Sequence, residues 1–105
     1  LLLARGHRQA GRLDEAAEFA RRALLREPYN AQYRELAATI ALQEGDMEEA
    51  LKHVEDLTIL ESDRVQHHVR LAALLFKLER REEADAAARR ALKLDDDAPV
   101  KPFLK

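Results

Sequence analysis

Leu13-Asp14-Glu15-Ala16, Met47-Glu48-Glu49-Ala50 and Arg81-Glu82-Glu83-Ala84 are one four-residue pattern written three times, each copy 34 residues after the last. The same step joins Gly11 to Gly45, Leu3 to Ala37 to Leu71, Ala23 to Leu57 to Ala91, and Leu24 to Thr58 to Leu92. One register held at so many positions marks an internal repeat, and a period of this size implies stacked supersecondary units rather than a core built once.

Within each period the apolar spacing is helical. Ala84, Ala87, Ala88, Ala91 and Leu92 form the i, i+3, i+4, i+7, i+8 stripe of a helix with one buried face. Ala50, Leu51, Val54, Leu57 and Thr58 repeat that stripe one period earlier, and Ala16, Ala20, Ala23 and Leu24 repeat it two periods earlier. Gly11 and Gly45, with Glu79 in the third copy, fall where one helix should end and its partner begin. The acidic pairs Asp14/Glu15, Glu48/Glu49 and Glu82/Glu83 then place negative charge on the amino end of each second helix. Glu27-Pro28-Tyr29-Asn30, Glu61-Ser62-Asp63 and Asp95-Asp96-Asp97 supply turns between repeats. The pattern predicts six helices, over 1–10, 14–26, 31–44, 48–61, 65–78 and 82–94, and a tail from Ala98 that does not continue the last of them.

Composition supports an all-α reading. Of 105 residues, 3 are glycine and 3 proline, aromatics make up 5%, and alanine and leucine recur throughout, which disfavours sandwiches and barrels. Charged residues reach 36%, so long solvated surfaces are expected, and no run approaches the roughly 18 apolar residues of a membrane span. A net charge of -2 removes the electrostatic case for nucleic acid or an acidic membrane. With no cysteine, disulfides and thiolate chemistry are excluded, while cytoplasm and periplasm both stay open. The opening run Leu1-Leu2-Leu3 stops at Arg5, too soon for a signal peptide, and reads as a piece of a longer protein.

The 34-residue period, a helix pair per period, glycine at the inner turn, fixed alanines on the second helix and Pro28 closing the first copy resemble a tetratricopeptide repeat array. The resemblance implies a right-handed α-solenoid of three repeats over 1–97, divided as 1–30, 31–64 and 65–97, with 98–105 a tail or the start of another repeat. Departures are local: the family's aromatic place before the first-helix leucine is Arg34 or His68, and only Pro28 matches its proline.

Sites for chemistry are hard to assemble. His67 and His68 are adjacent, so on a helix they point about 100° apart and cannot hold one ion together. His53, with Glu49 four before it and Asp56 three after it, reads as a solvated, charge-paired helix face, and His7 as a packed core or turn histidine. Ser62 is the only serine and sits in a turn without a glycine-rich elbow. No glycine pair can cradle a phosphate. The expectation is no catalysis, no metal and no cofactor. Arg21/Arg22 and Arg89/Arg90 alternate with Glu55/Asp56 at equivalent places, which predicts cross-repeat ion pairing rather than a nucleic-acid track.

What the resemblance implies for function is a concave groove lined by the first helix of each pair. Its matching positions are Leu1, Arg5, Arg8 and Gln9; Gln32, Glu35, Thr39, Leu42 and Gln43; and Gln66, Val69, Ala73, Phe76 and Lys77. Helical geometry agrees, because on 65–78 the face of Leu71, Leu74, Leu75 and Leu78 lies nearly opposite Val69, Ala73 and Phe76. A helix apolar on two faces must bury both or offer one to a partner. Either a partner covers Val69 and Phe76, or Phe103 and Leu104 of the tail do. The carboxylate clamp of cochaperone members of the family is not matched, since Leu1, Arg5, Leu36, Gln66 and Arg70 stand at its places. The expected function is a noncatalytic module that binds a peptide or protein along this face, with no nucleic acid and no membrane insertion. The alternatives are self-association through apolar repeat ends, at Leu1 to Leu3 and at Ala87, Ala91 and Leu94, and an accessory domain of an enzyme whose catalytic part lies elsewhere.

Overall fold

The computed structural model describes the backbone of residues 2–105 and the side chains from Gly11 onward. Its elements are α1 (Leu2–Arg26), α2 (Ala31–Gln43), α3 (Met47–Leu60), α4 (Val65–Lys77), α5 (Arg81–Leu94) and a single 3-10 turn, Lys101–Phe103; no strand occurs among the described residues. Four of the predicted helices stand where the pattern puts them. The first two do not separate: α1 is one helix of 25 residues, and Asp14/Glu15 lie inside it rather than at a start.

The inner turns explain this difference. After α2, Gly45 takes φ 79 and the Asp46 N–H reaches back to the Ala41 carbonyl at 2.8 Å, while the Asp46 side chain accepts from the Glu49 N–H at 3.1 Å. One motif thus closes the outgoing helix and caps the incoming one. After α4 the same backbone bond recurs, Arg80 N–H to Leu75 O at 2.9 Å, with Glu79 in the left-handed region at φ 63. At the first copy Gly11 has no positive φ, and Arg12, which stands where Asp46 does, carries no oxygen to cap a new helix. Nothing there compensates for opening the backbone, so the helix continues.

α2 to α5 pack as neighbouring pairs around Ala38, Ala41, Ala50, Leu51, Val54, Leu71, Ala72, Leu74, Leu75, Ala84, Ala87, Ala88 and Ala91. Alanine where helix axes approach, with Leu and Val filling between, is what close ridge-into-groove packing needs. Ala98 and Val100 of the tail complete the same core. They correct the expectation of an open end: Ala87 and Ala91 are buried, and only Leu94 of that trio stays exposed. Leu1 to Leu3, the other proposed end, lie outside the described side chains. Among the described residues no helix is long and apolar enough to cross a membrane.

Candidate functional site

The positions expected to line a groove fall on α2 and α4, whose starts are fixed differently. Asn30 caps α2 by accepting from the Tyr33 N–H at 3.1 Å. Arg64 precedes α4 without a side-chain cap, and its backbone carbonyl takes the His67 N–H instead. On these helices Gln32, Thr39, Leu42, Gln43, Gln66 and Lys77 are exposed, and Glu35, Val69, Ala73 and Phe76 are half-buried. Arg5, Arg8 and Gln9, like Leu1 and His7, lie outside the described side chains.

One link between the two helices was not foreseen. His67, only 2% exposed, has Nε2 2.8 Å from Glu61 Oε1 and Nδ1 3.9 Å from Glu35 Oε1. Glu35 of α2 and the acid that closes α3 therefore converge on one buried imidazole of α4. The bond from His67 holds the Glu61 carboxyl below its ordinary value, with Arg64 adding to the effect and desolvation opposing it. His68 turns elsewhere, donating from Nε2 to the Ser62 carbonyl at 2.8 Å. The only sequence signal for these roles was their place on the apolar stripe beside Leu71.

His53 corrects a second expectation. Its bond to Glu49 is present, Nε2 to Oε1 at 3.2 Å, yet the side chain is 13% exposed rather than solvated. Arg34, from α2, packs over it: Nη1 stands 3.3 Å from His53 Nδ1 and 3.3 Å from Asp56 Oδ2, and Nη2 donates to the Pro28 carbonyl at 2.9 Å. Burial pushes the imidazole below its ordinary value; Glu49 and Asp56 oppose that, and Arg34 reinforces it. The arginine pairs also differ from expectation. Arg21 and Arg22 both bind Glu18 on their own helix, at 2.6 and 2.9 Å, and Arg89 binds Asp85 at 2.9 Å. Arg21, Arg22 and Arg89 thus take partners one helical turn away on their own helices rather than Glu55 or Asp56 of the neighbouring repeat, while the cross-repeat pair of an arginine among the described residues is Arg80 Nη1 to Glu48 Oε2 at 3.9 Å.

At the far end of the face the tail covers Phe76. The rings of Phe76 and Phe103 lie 5.4 Å apart at 57°, and the Arg81 guanidinium sits 5.4 Å from the Phe76 centroid. Lys105 then binds α5 twice, through its N–H to Asp85 Oδ1 at 2.9 Å and through Nζ to Glu82 Oε1 at 2.8 Å. Of the two covers left open for Phe76, the tail is the one in place, so Phe76 is not an open anchor.

At the opposite end a different apolar surface is bare. Phe19 meets Tyr33 edge-on at 6.0 Å and stays 56% exposed; Leu25 and Ile59, one period apart, are 80% and 78% exposed. Ala16 and Ala23 are half-buried where Ala50 and Leu57, at the same places of the next repeat, are buried. A cavity of about 400 Å³ opens beside them, between Ala17, Ala20 and Leu24 of α1 and Ala37, Ile40 and Ala41 of α2.

Paired helices at a 34-residue step, alanine-packed and stacked side by side, define a tetratricopeptide-like α-solenoid. The chain belongs to the coatomer epsilon subunit family, whose model matches residues 3–102. No curated protein sequence is similar enough to count as a relative. Among solved structures, MamA superposes with a TM-score of 0.74 at 19% identity, over 85% of this chain and 52% of its own, so the chain spans about half of that protein. The first tetratricopeptide domain of Spaghetti (RPAP3), bound to an HSP90 peptide, gives 0.71 at 21% identity over 91% of this chain and 76% of its own. The Yersinia enterocolitica type III secretion chaperone SycD, in complex with a peptide of the translocator YopD, gives 0.75 at 15% identity over 97% and 84%. At these identities the likeness concerns the fold.

Proposed function

We propose that the chain is a noncatalytic docking module, part of a larger protein, that holds a peptide segment of a protein partner along the face of α2 and α4. One observation carries this reading: Gln32, Thr39, Gln43, Gln66 and Lys77 stand exposed on helices whose opposite faces are locked into the core. Rigid presentation of free donors and acceptors lowers the ordering cost of binding an extended chain. Two of the similar folds hold peptides, and a family named for a coatomer subunit is consistent with a life in protein assemblies. Capture of a partner, followed by the same capture with Thr39→Arg and Gln66→Arg, tests it. Loss of the partner with an unchanged helical spectrum is expected; retention by both variants, with loss in the outer-face control Lys52→Glu, would overturn it.

A second reading, self-association, is favoured by the bare surface of Phe19, Leu25 and the cavity at Ala20. Its measurement is mass against concentration by sedimentation, where Leu25→Glu, at a side chain 80% exposed, should abolish any dimer formed through that surface.

A further inference from the structure

The tail consists of two parts with different surroundings. Ala98 and Val100 are buried and belong to the core, whereas Lys101 and Pro102 are exposed and Phe103 and Leu104 only half-buried. The first part packs into the core with α4 and α5. The second lies across the rim where α4 meets α5, and it could leave without opening what Val100 seals.

What Phe103 to Lys105 rest on is chemically specific. Phe76 offers an aromatic ring, with the Arg81 guanidinium 5.4 Å from its centroid, and Glu82 and Asp85 offer two carboxylates one turn apart on α5. The occupant matches in order: an aromatic ring on Phe76, an aliphatic residue, then a lysine whose N–H and ammonium each take one carboxylate. The fit is loose, for a cavity of about 170 Å³ remains among Phe76, Arg81, Phe103, Leu104 and Lys105. Both carboxyls are held below their ordinary values chiefly by bonds from Lys105, so the charge match is mutual.

We propose that Phe76, Arg81, Glu82 and Asp85 form a docking site for an aromatic-aliphatic-lysine segment of a protein partner, and that Phe103-Leu104-Lys105 fills it in cis. A partner then binds by displacing the tail, and the tail sets the threshold for binding. This rests on the docking reading above and adds to it a site where α4 meets α5, beside the face of α2 and α4.

The test uses a fluorescent peptide with the sequence of residues 100–105 followed by two glycines, titrated against the whole chain and against Phe103→Ser/Lys105→Glu, which keeps Ala98 and Val100. A tail that occupies the site nine-tenths of the time weakens the peptide about tenfold, so the variant should bind about tenfold tighter. Adding Glu82→Gln and Asp85→Asn to the variant should remove that gain. Thermal melts establish that each protein is folded, and Lys105→Glu alone should give a smaller gain in the same direction. Equal affinity for both proteins, or no binding to the tail variant, overturns the proposal. Either result would leave partner capture through Thr39 and Gln66 standing, so the two readings fail separately.

Discussion

Arg34 and His68 lie one repeat apart, and each reaches back to a carbonyl that is also one repeat apart: Arg34 Nη2 donates to Pro28 at 2.9 Å, His68 Nε2 to Ser62 at 2.8 Å. Two unlike side chains at one position of the repeat fasten each first helix to the turn before it. For His68 the bond requires the proton on Nε2, which leaves Nδ1 buried with no hydrogen-bond partner. Replacing His68 by alanine removes the bond, strands the carbonyl and opens a void, and should cost ~2 to 4 kcal/mol in urea unfolding. A loss below about 0.5 kcal/mol would mean that water replaces the imidazole at Ser62 without penalty.

His53 gives the fold a pH dependence with a definite sign. Its folded value is lowered from the ordinary 6.5, so between the two values the unfolded chain binds the proton and the folded chain does not. The stability it contributes is present above the ordinary value and is lost as pH falls through the lowered one. Unfolding free energy should fall from pH 7.5 to 5.5 by more in the native chain than in His53→Gln, with a difference in slope of at most about 1.4 kcal/mol per pH unit. Parallel curves would show that Arg34 and burial do not disfavour the imidazolium.

Glu79 and Gly45 occupy the same turn at φ 63 and 79, and only glycine adopts that region without strain. Glu79→Gly should therefore stabilise, by ~0.5 to 1 kcal/mol after the extra freedom of the unfolded glycine is subtracted from the relieved strain. Gly45→Ala should destabilise by ~1 kcal/mol or more, although its Cβ would meet nothing within 4 Å, because the penalty lies in the backbone. Opposite signs in the two midpoints are the expected outcome.

These turns also mark how far the sequence could be read. The period and the alanine stripe were enough for four helices, their order and the core from Ala50 to Ala91, because burial of a repeated face is a property of spacing, whereas Ala38 and Ala41 of α2 were not read from it. Gly11 looked like Gly45, but a turn depends on what caps the next helix, and Arg12 cannot do what Asp46 does. The burial of His53, His67 and His68 depends on groups 6 to 19 residues away, Glu61, Ser62 and Arg34, which periodicity does not connect. The cover of Phe76 depends on an irregular tail with no period at all.

Leu75 and Phe76 are neighbours on α4 with opposite surroundings. Leu75 is buried in the core, so Leu75→Ala should cost ~2 to 5 kcal/mol. Phe76 is half-buried beneath Phe103, so Phe76→Ala should cost clearly less than Leu75→Ala, and Phe103→Ala less again. Their coupling is the sharper quantity. If the rings meet in solution as they do at 5.4 Å here, the double-mutant cycle of Phe76→Ala and Phe103→Ala should return ~0.5 to 1.5 kcal/mol. A coupling near zero would mean the tail spends its time off Phe76, leaving the ring open to a partner without displacement. A Phe76→Ala loss as large as that of Leu75→Ala would place the ring in the core and remove it from any docking surface.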